Sequence, residues 1–169
     1  SNRAQLRNAI RMAEFGDGTS LYEAVDNALN RQLARIEGRK AVVLFTDGVD
    51  TTSRRANYQS TVSDAEETEA LIYPIRYNTQ RDGFGGGGWG NPRGRRRGGN
   101  TGWAGVIGII LGGQLPTVTT RGGAGNSSNE YETGRRYLDE LAIKSGGRKF
   151  EADSMVDLDS AFAGIAEEL

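Results

Sequence analysis

The chain has 169 residues, 25% of them charged and 36% hydrophobic, with a net charge of −1; this suits one globular domain and by itself implies no polyanionic or polycationic partner. It contains no His and no Cys, which excludes imidazole bases, thiolate nucleophiles, zinc–thiolate fingers and disulfide frameworks together. No apolar run approaches the ~20 residues that a membrane-spanning helix needs; the longest, Val106 to Leu111, is far shorter.

In chain order, Asn2 to Ala13 reads as a short helix, with Leu6, Ile10 and Ala13 at helical spacing. Phe15-Gly16-Asp17-Gly18 breaks it. The next helix is the clearest in the sequence: Leu21, Val25, Ala28, Leu29, Leu33 and Ile36 form one stripe, Asp17 or Thr19 can cap it, and Gly38 is a natural stop. Ala41 to Thr46 is a solid apolar run, the pattern of a strand buried on both faces. Thr51 to Asn57 is a polar loop, and a helix is predicted from about Ser60 to Ala70. Leu71 to Tyr77 reads as a second strand, although Pro74 argues against a central position because it cannot donate to a ladder.

From Gln80 to Ser128 the composition changes. Six Arg face a single acid, Asp82, so this stretch carries about +5 and the remainder about −6; it also holds 17 of the 25 Gly. Within it, Val106–Leu111 and Leu115–Thr120 are spaced for a hairpin across Gly112-Gly113-Gln114. Beyond the insert, Thr133 to Lys144 is helical, with Tyr137, Leu138, Leu141 and Ala142 inward and a stop at Ser145-Gly146-Gly147. Arg148 to Ala152 is a short third strand. The last helix opens on a capping box, Ser154 with Asp157, and its stripe is Met155, Leu158, Phe162, Ile165, Ala166 and Leu169.

This alternation predicts an α/β fold: a mostly parallel, doubly wound sheet with helices on both faces. In such sheets ligands bind outside the carboxyl ends of the strands. Thr46-Asp47-Gly48 delivers a carboxylate to such an end, and Thr19, opening a helix, offers a hydroxyl beside it. Those donors suit a hard divalent cation. On the residues alone Thr19 also reads as an N-cap and Thr46-Asp47-Gly48 as a turn; Asp50 reads as a solvated loop residue. No spacing of Ser, Lys, Tyr or carboxylates signals a catalytic site, so an enzyme is not expected.

Several segments resemble a von Willebrand factor A (vWA) domain, of the group found in acidobacterial proteins. They are Gly18-Thr19-Ser20-Leu21-Tyr22-Glu23-Ala24, Arg39 to Gly48, Ile72-Tyr73-Pro74-Ile75, Leu138-x-x-Leu141-Ala142-x-x-Ser145-Gly146-Gly147 and Ile165 to Leu169. The resemblance covers residues 1–169 as one partial domain, apart from the insert at 80–128. It implies a protein-binding or adhesion module whose complete form holds Mg²⁺ or another divalent cation. It carries Thr19 and Asp47 over as metal ligands and an acidic group on a protein partner as the further ligand. It favours an extracytoplasmic or cell-surface location. The family's Asp-x-Ser-x-Ser strand has no counterpart in this sequence. The chain therefore reads as a C-terminal portion of the fold, with weak or absent metal binding alone and an edge at residues 41–46 open to self-association.

A second reading comes from the insert. Arg93, Arg95, Arg96 and Arg97 beside Trp89 have the composition of low-complexity nucleic-acid-binding segments, where Arg neutralises phosphate and aromatic rings stack on bases. The alternative there is a flexible surface excursion, because closing a longer loop costs little.

Overall fold

A computed structural model of the chain describes residues 18–77 and 128–169, with Gln5, Asn8 and Met12. The chain divides into two compact units, Ser1–Phe15 with Asn78–Thr119 and Gly16–Tyr77 with Thr120–Leu169; every strand and helix below belongs to the second. Most of the expected first helix, nearly all of the insert and its hairpin lie outside the described residues.

Helix α1 spans Leu21–Asn27, and the chain continues through a π turn, Ala28–Gln32, and a 3-10 turn, Leu33–Arg35. The stripe predicts one uninterrupted α-helix with Ile36 inward, but Ile36 is 50% exposed. The cause is periodicity. A repeat of four residues overshoots an α-helical turn by about 40° per step, so Leu21, Val25, Leu29 and Leu33 would wind away from the core. Widening one turn to i→i+5 takes that drift back, which keeps Leu29 buried and Leu33 packed on the core.

Three strands, β1 (Lys40–Thr46), β2 (Ala70–Arg76) and β3 (Phe150–Glu151), form a parallel sheet in the order β1-β2-β3. Lys40 stands opposite Ala70 and Thr46 opposite Arg76, while β3 meets β2 only at Ile75 and Arg76. The expected burial of β1 on both faces does not hold. Within the strand only Thr46 is buried and Val43 is 42% exposed.

Pro74 also departs from expectation, since it lies in the central strand and is fully buried. Backbone groups of successive strand residues point to opposite sides. Ile72 N–H donates to Ser145 Oγ (3.0 Å) and Arg76 C=O accepts from Ala152 N–H (2.8 Å), so even-numbered residues of β2 face the β3 side. In this register an N–H at position 74 would face residue 148, and β3 begins only at Phe150. The missing donor therefore costs no ladder bond.

Helix α2 spans Tyr58–Glu67, α3 Ser128–Ser145 and α4 Met155–Glu168. Asn57 and Ser60 form a capping box: Ser60 N–H donates to Asn57 Oδ1 (3.0 Å) and Asn57 N–H to Ser60 Oγ (3.1 Å), which starts α2 earlier than predicted. Helix α3 begins five residues before the predicted Thr133 and ends in a Schellman turn. There Gly146 takes φ 76°, Gly147 N–H reaches Ala142 C=O (2.9 Å) and Gly146 N–H reaches Ile143 C=O (3.3 Å). A side chain at Gly147 would run into Ile72 C=O, so this turn lies directly on β2.

Alternation of strand side chains sorts the core into two faces. Val42, Leu44 and Ile72 meet Leu21, Val25 and Leu29 of the first helical segment, Val62 and Ala65 of α2, and Tyr137, Leu138 and Leu141 of α3. α4 packs against β2 and β3, burying Leu158, Ala161 and Ile165. Phe162 and Leu169, expected on its inward stripe, are 49% and 53% exposed. Half of the predicted capping box of α4 forms: Asp157 N–H donates to Ser154 Oγ (3.2 Å), but the Asp157 carboxylate accepts from Ser154 Oγ (2.7 Å) and from the N–H of Asp153 (3.2 Å), not from that of Ser154. Among the described residues no helix is long and apolar enough to cross a membrane.

Candidate functional site

At the C-terminal end of β1 the loop Asp47–Asn57 is laced to the start of α1 in both directions. Tyr22 N–H donates to Asp50 Oδ1 (3.1 Å) and Glu23 N–H to Ser53 Oγ (3.2 Å), so the loop supplies acceptors for free donors of the first helical turn. In return the Glu23 carboxylate accepts from Arg54 N–H (2.9 Å) and Arg55 N–H (3.0 Å), which hold its pKa below the usual carboxylate range. The main chain of Thr19 is held as well. Its N–H donates to Thr51 Oγ1 (2.8 Å), and its C=O accepts from Thr51 N–H (2.8 Å) and Thr52 N–H (3.1 Å).

Of the two expected caps of α1, Asp17 lies outside the described residues, and Thr19 is not the N-cap residue. No side chain of the N-cap residue, Ser20, closes the helix, and the cap comes from Asp50. Asp50 is therefore not the solvated loop residue that the sequence suggests. Its carboxylate also accepts from Ser53 N–H (3.1 Å) and Ser53 Oγ (2.6 Å). The signal for the local half was present in the spacing Asp50 to Ser53, which suits an Asx-type turn. Its contact with Tyr22, 28 residues earlier, has no local signature.

Asp47 lies at the tip of β1 as expected, with Oδ1 accepting from Val49 N–H (3.1 Å). Burial, and then the negative charge of Asp47, push the Tyr77 phenol well above its ordinary value, which places that ring in the same region. Phe45 stacks on Tyr77 with ring centres 4.8 Å apart. Gly48, with φ 88°, makes the sharp turn after Asp47 and meets Gly134 of α3 backbone to backbone; a Cβ on either glycine would strike the other residue's main chain. This close approach brings the first turns of α3 over the end of β1.

Between them is a cleft of about 180 Å³, lined by Tyr22, by Gly48, Val49 and Asp50, and by Asn129, Glu130, Thr133 and Gly134. Ordinary small-molecule pockets run to about 300–1,000 Å³. The cleft is below that range, a size for a small group and not for a drug-sized ligand. Two carboxylates, Asp50 and Glu130, border it.

A Mg²⁺ ion takes about six oxygens in a near-octahedral shell. Thr19 and Asp47 together offer a hydroxyl and a carboxylate, and both oxygens of Asp50 already accept protein hydrogen bonds. Among the described residues no three carboxylates are grouped to share a metal ion. The residues in place thus amount to part of a shell. Arg93, Arg95, Arg96, Arg97 and Trp89 lie outside the described residues. Searches of protein-family models, curated proteins and solved structures find no match to this chain.

Proposed function

We propose that the chain is part of a vWA-type domain and acts as a protein-binding or adhesion module, not as an enzyme. In the complete domain Thr19 and Asp47 would contribute to a Mg²⁺ site, and an acidic side chain of the partner would complete the ion's coordination. The single observation that carries this reading is the position of the laced loop. Thr19 and Asp47 flank one loop cluster at the carboxyl end of a parallel sheet, where α/β folds bind ligands. The order β1-β2-β3, with β1 at the edge of the described sheet, is also what the resemblance expects of residues 18–169 without the Asp-x-Ser-x-Ser strand. Self-association through residues 41–46 belongs to the same proposal.

The remaining oxygens would come from that strand. The test is calorimetric titration of Mn²⁺ and Mg²⁺ into the chain, alone and with a peptide bearing Asp-x-Ser-x-Ser. The expected result is metal binding strengthened at least about tenfold by the peptide and abolished by Asp47→Ala. Metal heats indifferent to both the peptide and Asp47→Ala would refute the reading.

A further inference from the structure

We propose that Glu23 is a positioning residue: its carboxylate clasps the loop after β1 and so holds Thr19 in register with Asp47. That this pair serves a cation rests on the reading above; how the pair is held is a matter of backbone geometry.

The amides of Thr51 to Arg55 turn inward, and four of the five end on two residues. Thr51 N–H and Thr52 N–H donate to Thr19 C=O (2.8 and 3.1 Å), while Arg54 N–H and Arg55 N–H donate to Glu23 Oε1 (2.9 and 3.0 Å). The remaining one, Ser53 N–H, donates to Asp50, which itself accepts from Tyr22 N–H. Successive N–H groups aimed at one oxygen form an anion-binding concavity, and Glu23 fills it. The arginine charges take little part, since the Arg55 guanidinium stands 4.0 Å away and its side chain is 87% exposed.

The residue held is Thr19. Its N–H and C=O are both tied to the loop, Ser20 Oγ lies 2.7 Å from Thr52 Oγ1, and Gly18 runs so near Thr52 that a Cβ would strike that side chain. The Thr19 hydroxyl makes no hydrogen bond among the described residues, which leaves it for a ligand. The side-chain bonds at Thr51 and Thr52 are exposed, so water competes with them unless the loop is already in place. Among the described residues Glu23 is the one α1 side chain that hydrogen-bonds to this loop. Residues 51 and 52 thus lie between two anchors, the tip of β1 at Asp47 and the clasp at Arg54 and Arg55.

Amide hydrogen exchange by NMR, on the full chain without metal, is the first arm of the test. Glu23→Ala should speed exchange about tenfold at Thr51 and Thr52, whose amides Glu23 does not touch, as well as at Arg54 and Arg55. Exchange at Ile72, in the core, should not change, which separates a loosened loop from an unfolded chain. Glu23→Gln keeps an acceptor oxygen and should stay close to the natural chain. Glu23→Asp, one methylene too short, should act like Glu23→Ala and replaces it if that variant loses its fold. The second arm adds Mn²⁺ with a peptide bearing Asp-x-Ser-x-Ser. In Glu23→Ala the ion should still broaden the amides of Asp47–Asp50 but release those of Gly18–Leu21. No broadening in the natural chain would defeat the metal reading and leave the first arm to decide the clasp. Thr51 and Thr52 that stay protected in Glu23→Ala overturn the proposal, and so does a Glu23→Gln chain as loose as Glu23→Ala.

Discussion

Asp50 joins residues 28 positions apart, and its chemistry explains why one carboxylate matters more than its loop setting suggests. It accepts from Tyr22 N–H, Ser53 N–H and Ser53 Oγ, so removing it leaves a helix donor and a turn donor without their partner. Asp50→Ala is expected to destabilise the fold by about 1–3 kcal/mol, measured as a lower urea midpoint. A midpoint unchanged within about 0.3 kcal/mol would mean that water replaces the carboxylate at both ends. At this scale the sequence was only partly legible. Asp47 reads correctly as the tip of a strand because an apolar run ending in Asp-Gly is a local pattern. The role of Asp50 depends on a helix folded earlier in the chain, and no spacing within its own loop encodes that. The Gly48–Gly134 approach is hidden for the same reason: Gly48 also serves its own turn, but Gly134 is explained only by Gly48.

Helices and strands were legible wherever burial follows a single period. Tyr137, Leu138, Leu141 and Ala142 fall inward on α3 as their spacing predicts, and Ser145-Gly146-Gly147 ends it through αL geometry that glycine adopts at low cost. The misses lie where two periods compete or where partners are non-local. The π turn after α1 corrects a drift that the stripe itself creates, and Pro74 is tolerated because β3 is too short to need its donor. Packing of the three helices α1, α2 and α3 also brings together Tyr22, Tyr58 and Tyr137, with Tyr137 edge-on to Tyr22 at 4.8 Å and 5.0 Å from Tyr58. Thr61 Oγ1 lies 2.9 Å from the Tyr137 hydroxyl, so the one buried polar tip has a partner. Burial pushes all three phenols up; for Tyr58, burial together with a hydrogen bond to Glu140 takes it to about 12. A raised pKa means that the folded state holds these protons more tightly than the unfolded chain, where tyrosine titrates near 10. Their contribution to stability is complete below pH ~10 and is lost as pH rises through 12. Urea midpoints should therefore fall steeply across that window, with tyrosinate absorbance rising as the helices unfold. Ordinary titration near pH 10 with an intact helical signal would show that the cluster is open to solvent.

For the molecule as a whole, the α/β alternation was legible because parallel strands joined by helical crossovers leave a period change at every junction. The exposure of β1 was not, since an apolar run carries no mark of which helices cover its two faces. A strand with the composition of a sheet centre stands at an edge among the described residues. The metal reading is the more consequential, because it sets the function, and paramagnetic broadening by Mn²⁺ tests it most directly. With the Asp-x-Ser-x-Ser peptide present, Mn²⁺ should selectively broaden the backbone amide resonances of Gly18–Leu21 and Asp47–Asp50. It should spare Gly38, which precedes β1, and Gly146, which lies against Leu71 near the start of β2. Broadening centred elsewhere, such as on the acidic run Glu66-Glu67-Thr68-Glu69, or spread evenly over the chain, would contradict a site built on Thr19 and Asp47.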